Sequence, residues 1–284
     1  MIVRRGVALI FVLWLLVLLG AAAAEVATRV RTEEHTVGSL EARTIGRYAA
    51  ESGILMATTA LNRLLDSASL PSDRAAIFHD STLNRALQNV TLGRAQFGVA
   101  IIDLNARLDL NRTDSRTLTN LFTEFTSPAR AAEVVDALKR APLLRLAELA
   151  RVPGVDDSLA LAVAPYVTVW SDGLVNLNSA PAAVLAAVPG VGGAAAQNIV
   201  ARREAGYVFG STDEVRASEQ ASTSTAGPTD VGAVANPFLT IAPTRLLLVS
   251  RGWEPGHPLT HEIQAVYVVL GQWLVLQSWE EHDR

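Results

Sequence analysis

Residues 108–122, LDLNRTDSRTLTNLF, and residues 175–188, VNLNSAPAAVLAAV, read as two copies of one unit. At an offset of 67, Leu110-Asn111 falls on Leu177-Asn178, Leu118 on Leu185 and Leu121 on Val188. Each copy has a short alternating strand that ends in Leu-Asn and then enters a helix. Thr113-Asp114 supplies the cap in the first copy, and Ser179-Ala-Pro181 a cap and an early proline in the second. A duplicated strand-to-helix unit implies duplicated modules, while the bland reading is that caps after strands are common.

The second copy continues into AAVPGVGGAAAQNIVARREAG at 186–206. A helix ending at Pro189-Gly190, a tight Val191-Gly192 turn and a second helix from Ala194 to about Glu204 are the grammar of a helix-hairpin-helix. A weaker echo, LAELARVPGVDDSLALA at 146–162, has the same Val-Pro-Gly-Val hinge. Such hairpins can offer backbone amides at a helix N-terminus to a phosphate. The net charge of −4 opposes that use, and only Arg202 and Arg203 stand near the hairpin, so a structural helical module is the stronger reading. Gly190-Val-Gly192-Gly-Ala-Ala195 matches a dinucleotide fingerprint in letters only, because a helix rather than a strand precedes it.

Working outward, residues 4–16 read RRGVALIFVLWLL, and Val7 to Ala24 carries no charge. Eighteen apolar residues approach the length that crosses a bilayer, and Arg4 and Arg5 place the N-terminus on the cytoplasmic side. Three readings stay open: a secretory signal cut near Ala22-Ala23-Ala24, an uncleaved anchor, or a prepilin-type segment cut directly after Gly6 so that the apolar helix is retained. From Glu25 to Leu65 there is no proline, and apolar residues recur near helical spacing at Val26, Val30, Val37, Leu40, Ile45, Tyr48/Ala49, Leu55, Ala60/Leu61 and Leu64/Leu65. One continuous helix is expected from about 7 to about 65, half apolar and half amphipathic.

Toward the C-terminus, Ser211 to Asn236 is rich in Ser, Thr, Gly and Ala and reads as a flexible loop. Beyond it Pro237-Phe-Leu-Thr-Ile-Ala, Arg245-Leu-Leu-Leu-Val-Ser, Ile263–Leu270 and Trp273–Trp279 read as strands, the last two joined at Gly271-Gln272. They predict an antiparallel meander with one face covered by the 25–65 helix, and Val99–Ile102 is a further candidate strand.

The 284 residues contain no cysteine, which excludes disulfides, thiolate zinc sites and cysteine nucleophiles. His257 and His261 have the spacing of a metal-binding helix face with Glu262 adjacent, but Trp253-Glu-Pro-Gly-His-Pro is turn chemistry and predicts a solvated loop. Asp156-Asp157, Asp213-Glu214 and Glu280-Glu281 are candidate calcium-loop carboxylates, with solvated surface as the simpler reading. No nucleophile elbow, phosphate loop or catalytic constellation emerges, and the chain is not read as an enzyme.

Taken in order, RRGVALIFVLWLLVLL (4–19), AAESGILMATTALNRLL (49–65), DLNARLDLNRTD (103–114), LAELARVPGV (146–155), PYVTVWSDGLVNLNSAPAAVLAAVPGV (165–191) and the Trp279-Glu-Glu ending resemble the minor pseudopilin K family of type II secretion systems, also called general secretion pathway protein K. The resemblance implies an α+β fold: a pilin-like N-terminal helix packed on a C-terminal antiparallel sheet, with an inserted helical region of two helix-hairpin-helix, SAM-like modules. It divides the chain into a prepilin leader (1–6), a transmembrane stem half (7–24), an amphipathic stem half (25–65), a connecting region with the first strand (66–102), two helical modules (103–172 and 173–210), the loop (211–236) and the sheet (237–284). Prepilin peptidase would cut between Gly6 and Val7 and methylate the new amino terminus. Phe11 would then stand at the fifth mature position, where most pseudopilins carry a glutamate. Its absence suits a subunit at the pseudopilus tip that recruits nothing above it. Minor pseudopilins I and J are the implied partners and no nucleic acid is expected. The implied location is the inner membrane in a single pass, N-terminus cytoplasmic and head periplasmic, then the pseudopilus tip. Relatives commonly carry an Asp-rich segment between the two modules that Val134–Leu146 lacks, so no cofactor is assigned and calcium stays open. The rival from another class is a secreted or periplasmic protein with a cleaved signal whose hairpins grip a polyanion.

Overall fold

The computed structural model describes residues 3–215 and 236–284, leaving aside the side chains of 3–10 and 26–37. The expected flexible loop, 211–236, thus lies almost wholly outside the described residues, as does Met1-Ile2 of the expected leader.

The chain opens with one helix, α1, Val3–Ser67, as the unbroken run of helix formers predicted. Its docked face keeps Ala49, Leu61 and Leu65 of the expected stripe and departs from it elsewhere. Leu40, Tyr48 and Leu55 are exposed (57, 64 and 68%), whereas Ala42, Ala49, Ala50, Ile54, Ala57, Leu61 and Leu65 are buried. The physical reason is close approach. A Cβ at Gly53 would collide with Ser250, Phe97 and Val99, and one at Gly252 would collide with the backbone of Gly46 and Ala50. Small residues let the helix lie directly against the strands, and Ser250 Oγ donates to the Ala50 carbonyl at 2.7 Å.

Two short helices, α2 (Pro71–His79) and α3 (Thr82–Ala86), lead to a hairpin of β1 (Val90–Leu92) and β2 (Ala95–Asp103). The expected strand at 99–102 is therefore the end of a longer one. Three strands close the chain: β7 (Arg245–Trp253), β8 (Thr260–Leu270) and β9 (Trp273–Asp283). Together they form a five-stranded antiparallel sheet in the order β1-β2-β7-β8-β9. Gly271, at φ +61°, takes the left-handed turn between β8 and β9. Phe97, Val99, Leu246, Leu248, Ile263 and Ala265 pack with α1. On the opposite face, Leu247 and Val266 meet Leu104 and Trp170.

Between β2 and β7 the chain makes the helical insertion. Its first half runs through β3 (Leu108–Asp109), α4 (Ser115–Thr123), α5 (Pro128–Arg140), a 3-10 turn at Leu146–Arg151, α6 (Asp157–Val163) and β4 (Val167–Thr168). Its second half runs through β5 (Val175–Asn176), α7 (Ala182–Ala187), α8 (Gly192–Glu204) and β6 (Leu239–Thr240). In each half the opening strand pairs in parallel with the closing one, β3 with β4 and β5 with β6. Leu239–Thr240, expected in the antiparallel meander, instead closes the second half. The halves share one hydrophobic core, in which Leu118, Phe122 and Val163 belong to the same cluster as Leu185, Ile199 and Phe209. The expected α+β fold, a long helix on an antiparallel sheet with a helical insertion, is the one observed.

Candidate functional site

Three places carry the functional expectations: the hairpins, the junction that holds the insertion on the sheet, and the uncovered surface of stem and sheet.

In the hairpins, Gly154 and Gly190 occupy the same place in the repeated Val-Pro-Gly-Val and adopt φ +84° and +82°. The second hairpin joins α7 to α8. In the first, the leading limb is the 3-10 turn at Leu146–Arg151 rather than an α-helix, although Pro153-Gly154 stands at the same distance after it as Pro189-Gly190 does after α7. Arg130 Nε donates to the Gly154 carbonyl at 2.6 Å, and its Nη2 pairs with Asp156 at 2.7 Å. Asp156, one of the candidate calcium carboxylates, is thus the cap of α6, accepting from the Leu159 amide at 2.8 Å. The Arg130 bond holds its carboxyl below the usual range. Around the second hairpin, Arg203 Nη1 donates to the carbonyls of Leu177 and Ala180 at 2.9 and 2.8 Å. The Arg202 guanidinium lies 3.9 Å from the Tyr207 ring centroid, 4.7 Å from that of Phe209 and 3.8 Å from Glu214. Both arginines that a phosphate would need are committed to the module itself. The Gly190–Ala195 stretch follows α7 and runs into the first turn of α8, so no strand feeds the fingerprint.

The junction is built on Asn105, which is fully buried. Its Nδ2 donates to Asp172 Oδ1 at 2.8 Å and to the Leu174 carbonyl at 3.0 Å. Its Oδ1 accepts from the amides of Thr244 and Arg245 at 2.9 and 3.0 Å. One side chain thereby ties the exit of the first half, the entry of the second and the start of β7. Beside it Asp103, the last residue of β2, accepts from Asn105 N, Asn176 Nδ2 and Ser179 Oγ. Ser179, expected to cap α7, is spent on this bond, and Pro181 stands at the N-cap of α7 with no side-chain cap bond. Burial pushes the Asp103 carboxyl up to about 6, against the bonds from Ser179 and Asn176. It lines a cavity of about 280 Å³ with Phe78, Leu83, Ile101 and Arg107. Nothing in local sequence marks this junction, since its members are drawn from residues 103 to 245.

On the sheet, His261 and Glu262 are not in the expected solvated loop. Both lie on β8 and are buried (8% and 0%), while His257 stands in the preceding turn. Glu262 is held by Arg251, Arg284 and Gln264 at 2.7, 2.9 and 2.8 Å. Burial raises its carboxyl, but these partners outweigh burial and leave it below its ordinary value. His261 Nδ1 lies 2.7 Å from Asp283, and Glu281 accepts from the Trp279 indole at 2.8 Å. Glu214 accepts from the amides of Gly210 and Ser211. These groups tie strands and loops together, and among the described residues no three acidic or imidazole groups could hold a metal ion.

The remaining expectations fall on α1. Gly6 and Val7 lie on its first turns, with their side chains outside the described residues, and Phe11 is 73% exposed. Among the described residues no helix is long and apolar enough to cross a membrane; the expected span, 7–24, begins before the side chains are described. Further along, Tyr48, Leu55 and Met56 of α1 and Trp273, Val275, Leu276 and Trp279 of β9 are exposed.

A stem helix on an antiparallel sheet, with helical hairpins set into one connection, defines a pilin-like chain with a helix-hairpin-helix insertion. Residues 171–219 match the helix-hairpin-helix motif family, which covers the second hairpin. No curated protein sequence matches the chain. Among solved structures, the chain is similar to a chain of the GspK-GspI-GspJ complex from the type 2 secretion system of enterotoxigenic Escherichia coli. The two share 16% identity and a TM-score of 0.53, over 89% of this chain and 99% of that one. The likeness is one of fold.

Proposed function

We propose that this chain is a minor pseudopilin of a type II secretion system: a structural, non-catalytic subunit that assembles with companion minor pseudopilins I and J. The observation that carries this reading is the shared fold, which extends over nearly the whole of both chains, insertion included. The finer reading follows from the sequence. Prepilin peptidase cuts between Gly6 and Val7 and methylates the new N-terminus. The apolar helix then holds the protein in the inner membrane with its head in the periplasm, until it is drawn to the pseudopilus tip. In a helical stack, a carboxylate at the position of Phe11 would pair with the amino terminus of the subunit above; a phenylalanine offers no such partner, which suits the top of the stack. The rival polyanion binder requires a basic hairpin face, and Arg202 and Arg203 are already committed within the module.

The test is the intact mass and N-terminal sequence of the mature protein from its host. A chain starting at Val7 with one added methyl supports the pseudopilin reading. A chain starting at Glu25 would be an ordinary secreted product and would end it.

A further inference from the structure

The two margins of the five-stranded sheet differ. At one, β1 is three residues long; at the other, β9 runs eleven residues, and no strand of the described chain lies outside it. The first seven residues of β9, WLVLQSW, contain no charge, proline or glycine. Folded proteins usually blunt such an edge with lysine, proline or charge, because its free amides and carbonyls template further pairing. Among the described residues the edge is blunted by a bulge at Gln277 and at two further points. Asn62 Oδ1 accepts the Leu274 amide at 3.0 Å. In the acidic second half, Arg47 holds Glu281, and Arg43 and His261 hold Asp283. The charged half is tied down by Arg43, Arg47 and His261, and among the described residues no strand covers the uncharged half.

We propose that the outer edge of Trp273–Trp279 accepts an extended, uncharged segment of a companion protein chain as a sixth strand. The proposal deepens the reading of this protein as an assembling subunit and rests on it. Two features choose the occupant. Unpaired backbone groups along a sheet edge are matched only by another extended backbone. The second feature argues against a second copy. Tyr267 pairs with Leu276 but Val266 pairs with Ser278, so a bulge at Gln277 shifts the faces of β9. Trp279, opposite Ala265, lies on the α1 side; Trp273, opposite Leu270, lies on the other. An antiparallel two-fold pairing that uses all seven residues centres on Leu276 and sets Trp273 against Trp279 across opposite faces. That is a one-residue register conflict. A strand of different sequence is free of it.

The experiment uses the full chain purified in detergent with companion I and J subunits expressed from the same secretion system. Leu276 is two residues from Leu274, so its amide also points away from β8. Leu276→Pro removes that edge donor and leaves the β8–β9 ladder intact, and Val275→Lys charges the margin without touching the backbone. In the wild-type complex, amides of 273–279 are expected to exchange about tenfold more slowly than in the chain alone. Each variant, with unchanged melting, is expected to lose that protection and associate about tenfold more weakly. A complex that forms without added protection, or that both variants leave intact, overturns the strand-addition site and spares the pseudopilin reading. Protection that rises with concentration of this chain alone makes a second copy the occupant and also overturns it. Failure of the wild-type chain to associate with either companion overturns both readings.

Discussion

The two halves of the insertion are the same device set in different surroundings. In each, an asparagine two residues beyond the opening strand clasps the backbone of a returning loop. Asn111 bonds both the carbonyl and the amide of Leu143, each at 2.9 Å. Asn178 bonds those of Phe209 at 2.9 and 2.8 Å, and adds the Ile241 carbonyl at 2.8 Å. Leu110 and Leu177 donate to Thr168 and Thr240 across the parallel pair, at 2.8 and 2.9 Å. The halves diverge just before the Leu-Asn pair. Asp109 turns one oxygen onto the amides of Asn111 and Arg112 and leaves Oδ2 buried with no partner, and burial raises its carboxyl. Asn176 accepts from Asn178 in the same way but has a second arm, an amide that donates to Asp103 at 2.7 Å. The amide gives the second half a tie to the end of β2 that the Asp109 carboxylate cannot make, whereas the first half meets the sheet through Asp172 and Trp170. A repeat therefore keeps its internal clasp and spends its variable atom on attachment.

That contrast can be broken most severely at the clasps. Asn178→Ala strands the buried N–H and carbonyl of Phe209, and is expected to lower unfolding free energy by about 3–5 kcal/mol. The half-exposed equivalent, Asn111→Ala, should lose about 2–3 kcal/mol; urea unfolding curves would show whether the order is reversed. Next, Asn176→Asp turns the second half's arm into the first half's carboxylate. It removes the donor to Asp103 and sets two acids together, so a loss of about 3 kcal/mol is expected at pH 7, smaller at pH 4 where a shared proton bridges them. Asp103 itself gives the third test. Its folded-state carboxyl is raised to about 6, above its unfolded value, so its protonated form stabilises the fold. That contribution is full below about pH 4 and lost as pH rises through 6. The loss is on the order of 2–3 kcal/mol, and Asp103→Asn should flatten that limb of a melting-temperature-versus-pH profile. The smallest effect lies at the hinges. Alanine at either glycine incurs about 1 kcal/mol for the left-handed backbone. At Gly154 the new Cβ also meets Val134 Cγ2 at 3.0 Å, whereas at Gly190 the nearest atom is 3.7 Å away. Gly154→Ala should therefore cost about twice what Gly190→Ala does, and equal shifts in thermal melting would show that the hinges are not packed differently.

Features encoded by neighbouring residues were readable in the sequence. The Leu-Asn units, the Asp114 cap, the Val-Pro-Gly-Val hinges and the Gly271 hairpin each depend on a few adjacent positions, and each stands where the pattern put it. The stem helix was readable from its length, but its docked face only in part, at Ala49, Leu61 and Leu65, because much of the contact is made by glycine and alanine, which hydrophobic periodicity undercounts. Two-residue strands such as Leu239–Thr240 are too short to show a period, so their parallel partners were invisible. His261 and Glu262 looked solvated because what buries and neutralises them, Arg251, Asp283 and Arg284, arrives from other strands or the chain end. The junction at Asn105 was hidden for the same reason.

The stem helix has a mechanical consequence. Sixty-five residues make a rod roughly 100 Å long, and the section seated on the sheet, from Ala42 to Leu65, is near one end of it. A pull along the axis loads the whole seat in shear, every contact at once. A sideways push at the far end acts as a lever and peels the seat one turn at a time, beginning where Gly46 crosses Gly252. The protein is therefore stiff against thrust and weak against bending, and any guide that keeps the rod straight strengthens the joint without touching it.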